Sequence, residues 1–256
     1  MIKDRHFIVA NWKMNPTSLR EAKVLFGIAK KRANRLKKVK TIICPPSIFL
    51  SSLGETKISS STLVLGGQDA FWLQEGPYTG QVSPEMIKSA GARYIILGHS
   101  EKRALGDTDE LIQSKIKACL RIGLKVILCI GEKERDDQGE YLKYLTDQLT
   151  NSLTGIKKSD LANLLIAYEP LWAIGQGAKG SDTPAEFRHN AIFIKKVLSQ
   201  LFGQTKGRLV PVLYGGSVNV NNAKSFLLEG EADGLLVGRE SLIPSRFGEI
   251  LKQANL

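Results

Sequence analysis

The chain has 256 residues, 43% of them hydrophobic and 24% charged, a balance typical of a folded globular protein rather than a disordered or fibrous one. No stretch approaches the ~20 consecutive apolar residues of a membrane span, and the N-terminus lacks a signal-peptide pattern, so we expect a cytoplasmic protein without a membrane partner. The length predicts a single domain over residues 1–256, and the formal net charge of +11 leaves an anionic substrate or a nucleic-acid partner open.

Short runs rich in Ile, Val and Leu predict eight strands along the chain. They are Phe7–Ala10, Thr41–Cys44, Leu63–Leu65, Tyr94–Leu97, Val126–Ile130, Leu164–Tyr168, Val212–Tyr214 and Leu235–Val237. Segments with helical periodicity lie between them, among them Leu19–Arg32, Pro84–Ala90, Leu111–Gly123, Glu140–Leu153, Pro184–Phe202 and Ala223–Leu228. Nearly continuous hydrophobicity indicates parallel strands that are buried on both faces. Eight strand–helix units in a chain of this length favour a closed (β/α)8 barrel.

The largest basic cluster follows the first predicted helix. It consists of Lys30, Lys31, Arg32, Arg35, Lys37, Lys38 and Lys40. Cations at this position complement the negative end of a helix dipole, and no aromatic side chains that stack on bases are interleaved with them. A solvated basic surface therefore explains the cluster, and we expect no nucleic-acid partner.

Polar and glycine-rich residues directly follow five of the predicted strands. They are Asn11 and Lys13 after the first strand, His99 after the fourth, Glu169 after the sixth, Gly215–Ser217 after the seventh, and Gly238 and Arg239 after the eighth. The carboxyl ends of parallel strands meet on one rim of a barrel, where the active sites of this architecture occur. Loops after the last two strands commonly bind phosphate through backbone N–H groups, which implies a phosphorylated substrate.

Three of these side chains are poor fits to an ordinary surface or core role. Lys13 stands directly against a buried strand, an unfavourable place for a charge without a partner. His99 is followed by Ser100–Arg103, which can open a short helix whose positive end favours a neutral imidazole. Pro170 keeps Glu169 extended at the exit of an apolar strand, where a partly desolvated carboxylate suits a general base.

Together these residue types indicate proton abstraction next to the carbonyl group of a small phosphate ester. Glu169 is the expected base, His99 the electrophile and Lys13 a stabilising cation. Isomerisation and aldol chemistry both begin with such a carbon acid, although a Schiff-base aldolase needs a desolvated lysine inside the barrel. Another phosphosugar isomerase or an aldolase remains an alternative, and so does a basic adhesion or nucleic-acid-binding protein that uses the lysine cluster.

The cysteines and histidines are widely separated along the chain. They are Cys44, Cys119 and Cys129, and His6, His99 and His189. Each cysteine is flanked by aliphatic residues, which is typical of reduced core thiols rather than of a disulfide framework. The histidines are too scattered for a zinc cluster, so we expect no metal site.

Six segments resemble the signature segments of the triosephosphate isomerase family. They are residues 11–15, 98–103, 129–132, 167–175, 214–218 and 236–238, which occur in the family's order from end to end of the chain. Six segments in the same order identify a family far more specifically than a single Gly-Gly-Ser motif does. The resemblance implies a TIM barrel and an enzyme without a cofactor that interconverts D-glyceraldehyde 3-phosphate and dihydroxyacetone phosphate through an enediol.

The resemblance also implies a catalytic role for each matched residue. Glu169 would move a proton between the two carbons, and His99 would donate a hydrogen bond to the carbonyl oxygen. Lys13 and Asn11 would stabilise the developing negative oxygen, and Lys13 would also meet the phosphate. Glu101 would hold Lys13 in place.

Phosphate binding is implied for a second group of residues. Gly175, Ser217 and the N–H groups of Gly238 and Arg239 would contact the phosphate, beneath a lid that spans residues 170–183. Two features depart from the family pattern. The lid is about two residues longer than usual, which affects its hinge and its latch onto Tyr214. Arg239 stands where the family generally has glycine, and its N–H can reach phosphate only if that position does not require a positive φ.

Two further features have a counterpart in the family. Residues 74–80 resemble the protruding loop through which subunits of the family dock, with Thr79 reaching the partner's site, so we expect a homodimer. Cys129 opens the matched segment at the end of the fifth strand and is expected to support the active site.

Overall fold

The computed structural model describes residues 5–56, 62–136, 138–173 and 182–256, and within these ranges eight parallel strands form a closed barrel. They are β1 His6–Asn11, β2 Val39–Cys44, β3 Leu63–Gly67, β4 Ala92–Leu97, β5 Lys125–Ile130, β6 Leu164–Tyr168, β7 Val212–Tyr214 and β8 Gly234–Val237. Each strand pairs with the next one, and β1 closes the barrel against β8. The predicted (β/α)8 barrel is confirmed, and every predicted strand boundary is correct to within two residues.

The described residues contain ten α-helices. They are α1 Leu19–Ala33, α2 Ser47–Gly54, α3 Pro84–Ser89, α4 Ser100–Ala104, α5 Asp109–Arg121, α6 Glu140–Leu153, α7 Pro184–Phe202, α8 Gln204–Gly207, α9 Ala223–Leu228 and α10 Pro244–Gln253. The six helices that the sequence predicted lie within two residues of their expected ends. None of the described helices is both long enough and apolar enough to cross a membrane.

The strands are buried on both faces because their side chains alternate between two apolar layers. Along β1, Val9 belongs to the cluster that fills the barrel, whereas Ile8 and Ala10 belong to the cluster that packs beneath the helices. The same alternation in the other strands explains why each reads as a continuous apolar run. The inside of the barrel is therefore a packed core rather than a ligand cavity.

The basic cluster lies at the end of the barrel opposite the rim to which the strands point. Lys30, Lys31 and Arg32 occupy the last turn of α1, as the helix-dipole argument predicts. Lys37 and Lys38 follow in the exposed turn that leads into β2. The positive charge of this cluster is thus separated from the rim that carries the candidate site residues.

Candidate active site

One cleft of about 560 Å³ opens at the carboxyl ends of the strands. It is lined by Asn11, Lys13, Asn15, His99, Ser100, Glu101, Glu169, Gly215, Gly216, Ser217, Val218, Asn219, Leu236, Gly238, Arg239 and Glu240. Eight of the predicted site residues are therefore brought together, from β1, β4, β6, β7 and β8. Gly175 lies outside the described residues, as do the other residues from 174 to 181 of the expected lid.

The carboxylate of Glu169 lies on the floor of this cleft. The residue follows β6 directly, is 3% exposed, and its N–H donates to the carbonyl of Ile130 at 2.8 Å. Its Oε1 lies 3.1 Å from Nε2 of His99, and its Oε2 accepts a hydrogen bond from the N–H of Ser100 at 3.0 Å. A largely desolvated carboxylate with few partners is suited to exchanging a proton.

His99 is held in one orientation by the start of α4. Its Nδ1 accepts a hydrogen bond from the N–H of Glu101 at 3.2 Å, so the side chain caps this short helix. A ring nitrogen that accepts an N–H bond carries no proton, which leaves the imidazole neutral with its proton on Nε2. That Nε2–H points towards Glu169. Gly98 precedes with φ of 71°, a left-handed conformation that favours glycine.

The loop after β1 positions Lys13 at the side of the cleft. Its backbone has φ of 53°, which is unfavourable for a residue with a Cβ atom. The N–H donates to Oδ1 of Asn11 at 3.1 Å, and the ammonium lies 2.6 Å from Oε1 of Glu101. Gln68 donates from Nε2 both to the carbonyl of Lys13 at 2.8 Å and to that of Cys44 at 2.9 Å.

Gln68 supports the site but was not predicted from the sequence. Its position directly after β3 is the signal that could have found it, because the same rule identified Asn11, His99 and Glu169. Gln68 does not line the cleft, but its two hydrogen bonds tie the strained turn at Lys13 to the end of β2.

The wall after β7 is built largely from backbone. Gly215 donates from its N–H to the carbonyl of Tyr168 at 2.8 Å, and a Cβ atom added at this glycine would lie 3.1 Å from Cγ of Glu169. A Cβ atom at Gly216 would overlap the hydroxyl of Tyr214. Ser217 donates from its hydroxyl to the carbonyl of Ala173 at 3.0 Å. Glycine is therefore required here by close packing rather than by a positive φ.

A buried polar network lies beneath both ends of the expected lid. Glu132 accepts hydrogen bonds at Oε1 from the hydroxyl of Tyr168 at 2.6 Å and from Nε1 of Trp172 at 2.9 Å. Arg135 lies 3.4 Å from this carboxylate and 3.1 Å from that of Glu186, near the start of α7. Burial raises the pKa of the Tyr168 hydroxyl, and the nearby Glu132 carboxylate raises it further. This network connects the segment before residue 174 to the segment after residue 181.

Asp182 is the first residue after 174–181 that the structure describes. Its Oδ1 accepts a hydrogen bond from the N–H of Thr183 at 3.0 Å, while Oδ2 is buried without a hydrogen bond. Burial raises the pKa of this carboxyl to about 7, against the opposing effect of Arg135. The Asp182 side chain is thus protonated in part at neutral pH.

The three remaining supporting residues do not line the cleft. Cys129 is buried inside the barrel. Burial raises the pKa of its thiol well above the usual range, and the Glu169 carboxylate adds to this effect. Tyr214 is buried behind the β7 loop and stacks on Phe226 with ring centroids 3.6 Å apart. Thr79 lies in the exposed loop after β3. No group of His, Cys, Asp or Glu within the described ranges is arranged to hold a metal ion.

The similarity to known proteins extends over nearly the whole chain. Residues 6–254 match the family model described as triosephosphate isomerase. The chain is 41% identical over 253 residues to the triosephosphate isomerase of Dehalococcoides mccartyi, with 98% of each chain covered. It is 38% identical over 253 residues to that of Dictyoglomus turgidum, with 97% of this chain and 99% of the relative covered. The crystal structure of triosephosphate isomerase from Bartonella henselae matches with a TM-score of 0.82 at 33% identity, covering 97% of this chain and 98% of that one.

Proposed function

The chain belongs to the triosephosphate isomerase family, and we propose that Glu169 and His99 carry out its interconversion of D-glyceraldehyde 3-phosphate and dihydroxyacetone phosphate. The observation that supports these roles best is the distance of 3.1 Å between Oε1 of Glu169 and Nε2 of His99. A carboxylate and a neutral donor that converge on one small volume are what proton transfer next to a carbonyl requires. The alternative functions have no comparable support.

In the proposed reaction, the substrate carbonyl replaces the Glu169 carboxylate as acceptor of the His99 Nε2–H. The released Glu169 removes a proton from the carbon next to the carbonyl, and the oxygen takes on negative charge as the enediol forms. His99 stabilises that charge through its hydrogen bond. The hydroxyl proton of the neighbouring carbon passes to this oxygen by way of Nε2 of His99, and Glu169 returns its proton to the carbon that bore the carbonyl, so that aldehyde and ketone exchange.

The Lys13 ammonium and the Asn11 amide are proposed to stabilise the same oxygen from the side of β1. The Lys13 side chain is one-third exposed, and its ion pair with Glu101 limits its freedom before the substrate arrives. A charge that is already oriented requires little reorganisation as the transition state forms, and such groups contribute several kcal/mol. The phosphate is proposed to bind beside Lys13, at Ser217 and the N–H groups of Gly238 and Arg239, together with Gly175; β8 pairs with β1, and a Cβ atom at Gly238 would lie 3.6 Å from Cε of Lys13.

Replacement of Glu169 by aspartate tests the proposed base. The shorter side chain keeps the charge but withdraws the carboxylate by about one bond length, so kcat should fall by about 100- to 1000-fold with KM within a few-fold. A coupled assay in both directions measures both constants. Glu240→Gln is the matched control, because it removes a carboxylate of the same cleft that pairs with Arg246 instead of facing His99. Full activity of Glu169→Asp would exclude Glu169 as the base.

Isotope labelling separates isomerisation from aldol chemistry. In deuterated water the product should carry deuterium on the carbon next to its carbonyl, because Glu169 exchanges its proton with solvent. Borohydride should trap no covalent adduct. Inactivation by borohydride in the presence of substrate would instead indicate a Schiff-base lysine.

We also propose that two copies of the chain form a homodimer. Large apolar side chains are exposed at Met14 (90%), Ile48 (79%), Leu105 (80%), Met86 and Tyr78. They follow β1, β2, β3 and β4, so they share one side of the rim. The three most exposed apolar side chains of the described residues, Met14, Leu105 and Ile48, lie in this region, as is typical of a protein interface.

Light scattering after size exclusion tests the homodimer. The expected mass is twice the 28.2 kDa of one chain, and Tyr78→Asp should shift it towards one chain and lower activity, since Thr79 is proposed to reach the partner's site. Ile192→Asp is the control, because Ile192 is exposed on α7, away from this side of the rim. A fully active single chain would contradict the proposal.

A single domain and a cytoplasmic location complete the proposal. The pairing of β1 with β8 supports one domain, because the first and last strands share one sheet. Cys44, Cys119 and Cys129 are buried and form no disulfide, which supports a reducing compartment. Burial raises the pKa of Cys119 to about 12. Cell fractionation would test the location, and limited proteolysis the single domain.

A further inference from the structure

The charges that line the cleft do not by themselves favour an anionic substrate. The described lining carries the carboxylates of Glu101, Glu169 and Glu240 but the cations of Lys13 and Arg239 alone. The ammonium of Lys13 is already paired with Glu101 at 2.6 Å. A phosphate dianion that enters this cleft therefore meets an excess of carboxylates near the groups that are to bind it.

Of the two cations in this lining, Arg239 is the one that no described carboxylate neutralises. Within the described part of the chain, its guanidinium makes no ion pair and no side-chain hydrogen bond, although it borders the cleft and is exposed. The neighbouring Glu240 is neutralised by Arg246 at 2.7 Å and does not compete for it.

The backbone places Arg239 on the phosphate side of the cleft. It directly follows Gly238, where an added Cβ atom would lie 3.6 Å from Cε of Lys13. The loop after β8 therefore packs against the Lys13 side chain, and Ser217 lines the same cleft. Arg239 begins the short 3-10 turn Arg239–Leu242, and its φ is not positive, so an arginine fits here without strain.

We propose that the guanidinium of Arg239 is a specificity-determining group for the phosphate of the substrate. It attracts the dianion to the cleft and donates charge-assisted hydrogen bonds to phosphate oxygens, for which its planar fork is well suited. This inference rests on the proposed function and concerns the side chain, whereas the family resemblance assigns only the backbone N–H of this residue. Because the group is exposed, its contribution is to binding and encounter rather than to proton transfer.

The test compares Arg239→Gln and Arg239→Lys with the unmodified enzyme. For Arg239→Gln we expect KM for both triose phosphates to rise about 3- to 10-fold with kcat within twofold, since a partly exposed charge-assisted contact is lost. The competitive inhibition constant of inorganic phosphate should rise by the same factor. Arg239→Lys should recover part of both. The difference between the enzymes should shrink in 0.5 M salt, because screening weakens exposed charges.

Arg208→Gln is the matched control. It removes the same charge from an exposed residue between α8 and β7, at the opposite end of the barrel, and should leave all constants unchanged. An unchanged KM and phosphate inhibition constant in Arg239→Gln would overturn the inference, as would a loss confined to kcat. If Arg239→Gln is silent while Glu169→Asp is impaired, only this inference fails. A fully active Glu169→Asp would instead refute the proposed function.

Discussion

The two sides of the cleft are built in different ways. On the side of β4 and β6, the groups proposed for chemistry are side chains that are almost completely buried, with His99 8% and Glu169 3% exposed. On the side of β7 and β8, the groups proposed for phosphate binding are mainly backbone N–H groups of glycine-rich turns beside an exposed arginine. The difference indicates that proton transfer requires fixed, desolvated side chains, whereas an anion is bound by groups that stay open to solvent until it arrives.

The two sides nevertheless meet at one residue. Gly215 belongs to the phosphate side, but the space where its Cβ would be is 3.1 Å from Cγ of Glu169 and 3.2 Å from the carbonyl of Tyr168. The absence of a side chain at Gly215 thus sets the position of the proposed base. Perturbing each side separately, and then this junction, tests whether the division is functional.

The largest effect is expected from His99→Gln, which alters the buried side alone. The glutamine amide cannot be held by the N–H of Glu101 as Nδ1 is, so the donor to the carbonyl oxygen is misplaced. We expect kcat to fall by about 100- to 1000-fold with little change in KM. Steady-state kinetics with both substrates measure it. His189→Gln, an exposed histidine on α7, is the control. A rise in KM at constant kcat would contradict the assignment of chemistry to the buried side and of binding to the phosphate side.

The buried side of the site was the easier one to predict from sequence. His99 and Glu169 stand out because polar residues at the exit of apolar strands have few structural explanations, and the parallel barrel brings all such exits to one rim. Hydrophobic runs and helical periodicity located the strands and most of the helices. α2 and α8 were not predicted, although the equally short α3 and α9 were, so helix length alone does not explain the difference.

Contacts between residues distant in sequence could not be predicted. The hydrogen bonds of Gln68, the positive φ of Lys13 and the buried position of Asp182 all depend on packing in three dimensions. The reason for glycine at 215 was also hidden, because a phosphate cradle and a close contact with Glu169 call for the same residue. Sequence patterns identify which side chains matter more readily than they identify what holds them.

An intermediate effect is expected from Gly215→Ala at the junction. The new methyl group must displace Glu169 or the backbone of Tyr168, and a misplaced base should lower kcat by about 10- to 100-fold. Gly27→Ala is the matched control, because nothing lies within 4 Å of a Cβ atom in the middle of α1, and alanine there should stabilise the fold by about 0.5–1 kcal/mol. Unchanged kcat in Gly215→Ala would show that the two sides are independent.

The smallest effect is expected on stability, from Asp182→Asn near the end of the expected lid. The folded carboxyl has a pKa of about 7 against an ordinary value of 3.8, so between these values the folded state holds a proton that the unfolded state has released. Stability contributed by Asp182 is therefore lost as pH rises from about 4 to 7. Asparagine keeps the acceptor for Thr183 without the charge, and should raise the free energy of unfolding by about 1–2 kcal/mol at pH 8, since partial solvation offsets the rest.

Urea unfolding at pH 5 and pH 8, at one protein concentration because a dimer gains stability by mass action, measures this difference. Asp147→Asn is the control, since among the described residues this exposed carboxylate pairs with Lys143 on the same helix, and its removal should change stability little and equally at both pH values. An equal gain for Asp182→Asn at both pH values would show that the buried charge is not the cause. A gain that is larger at pH 8 than at pH 5 would show that the buried charge of Asp182 lowers the stability of the fold, because this carboxyl is ionised in the folded state mainly above about pH 7.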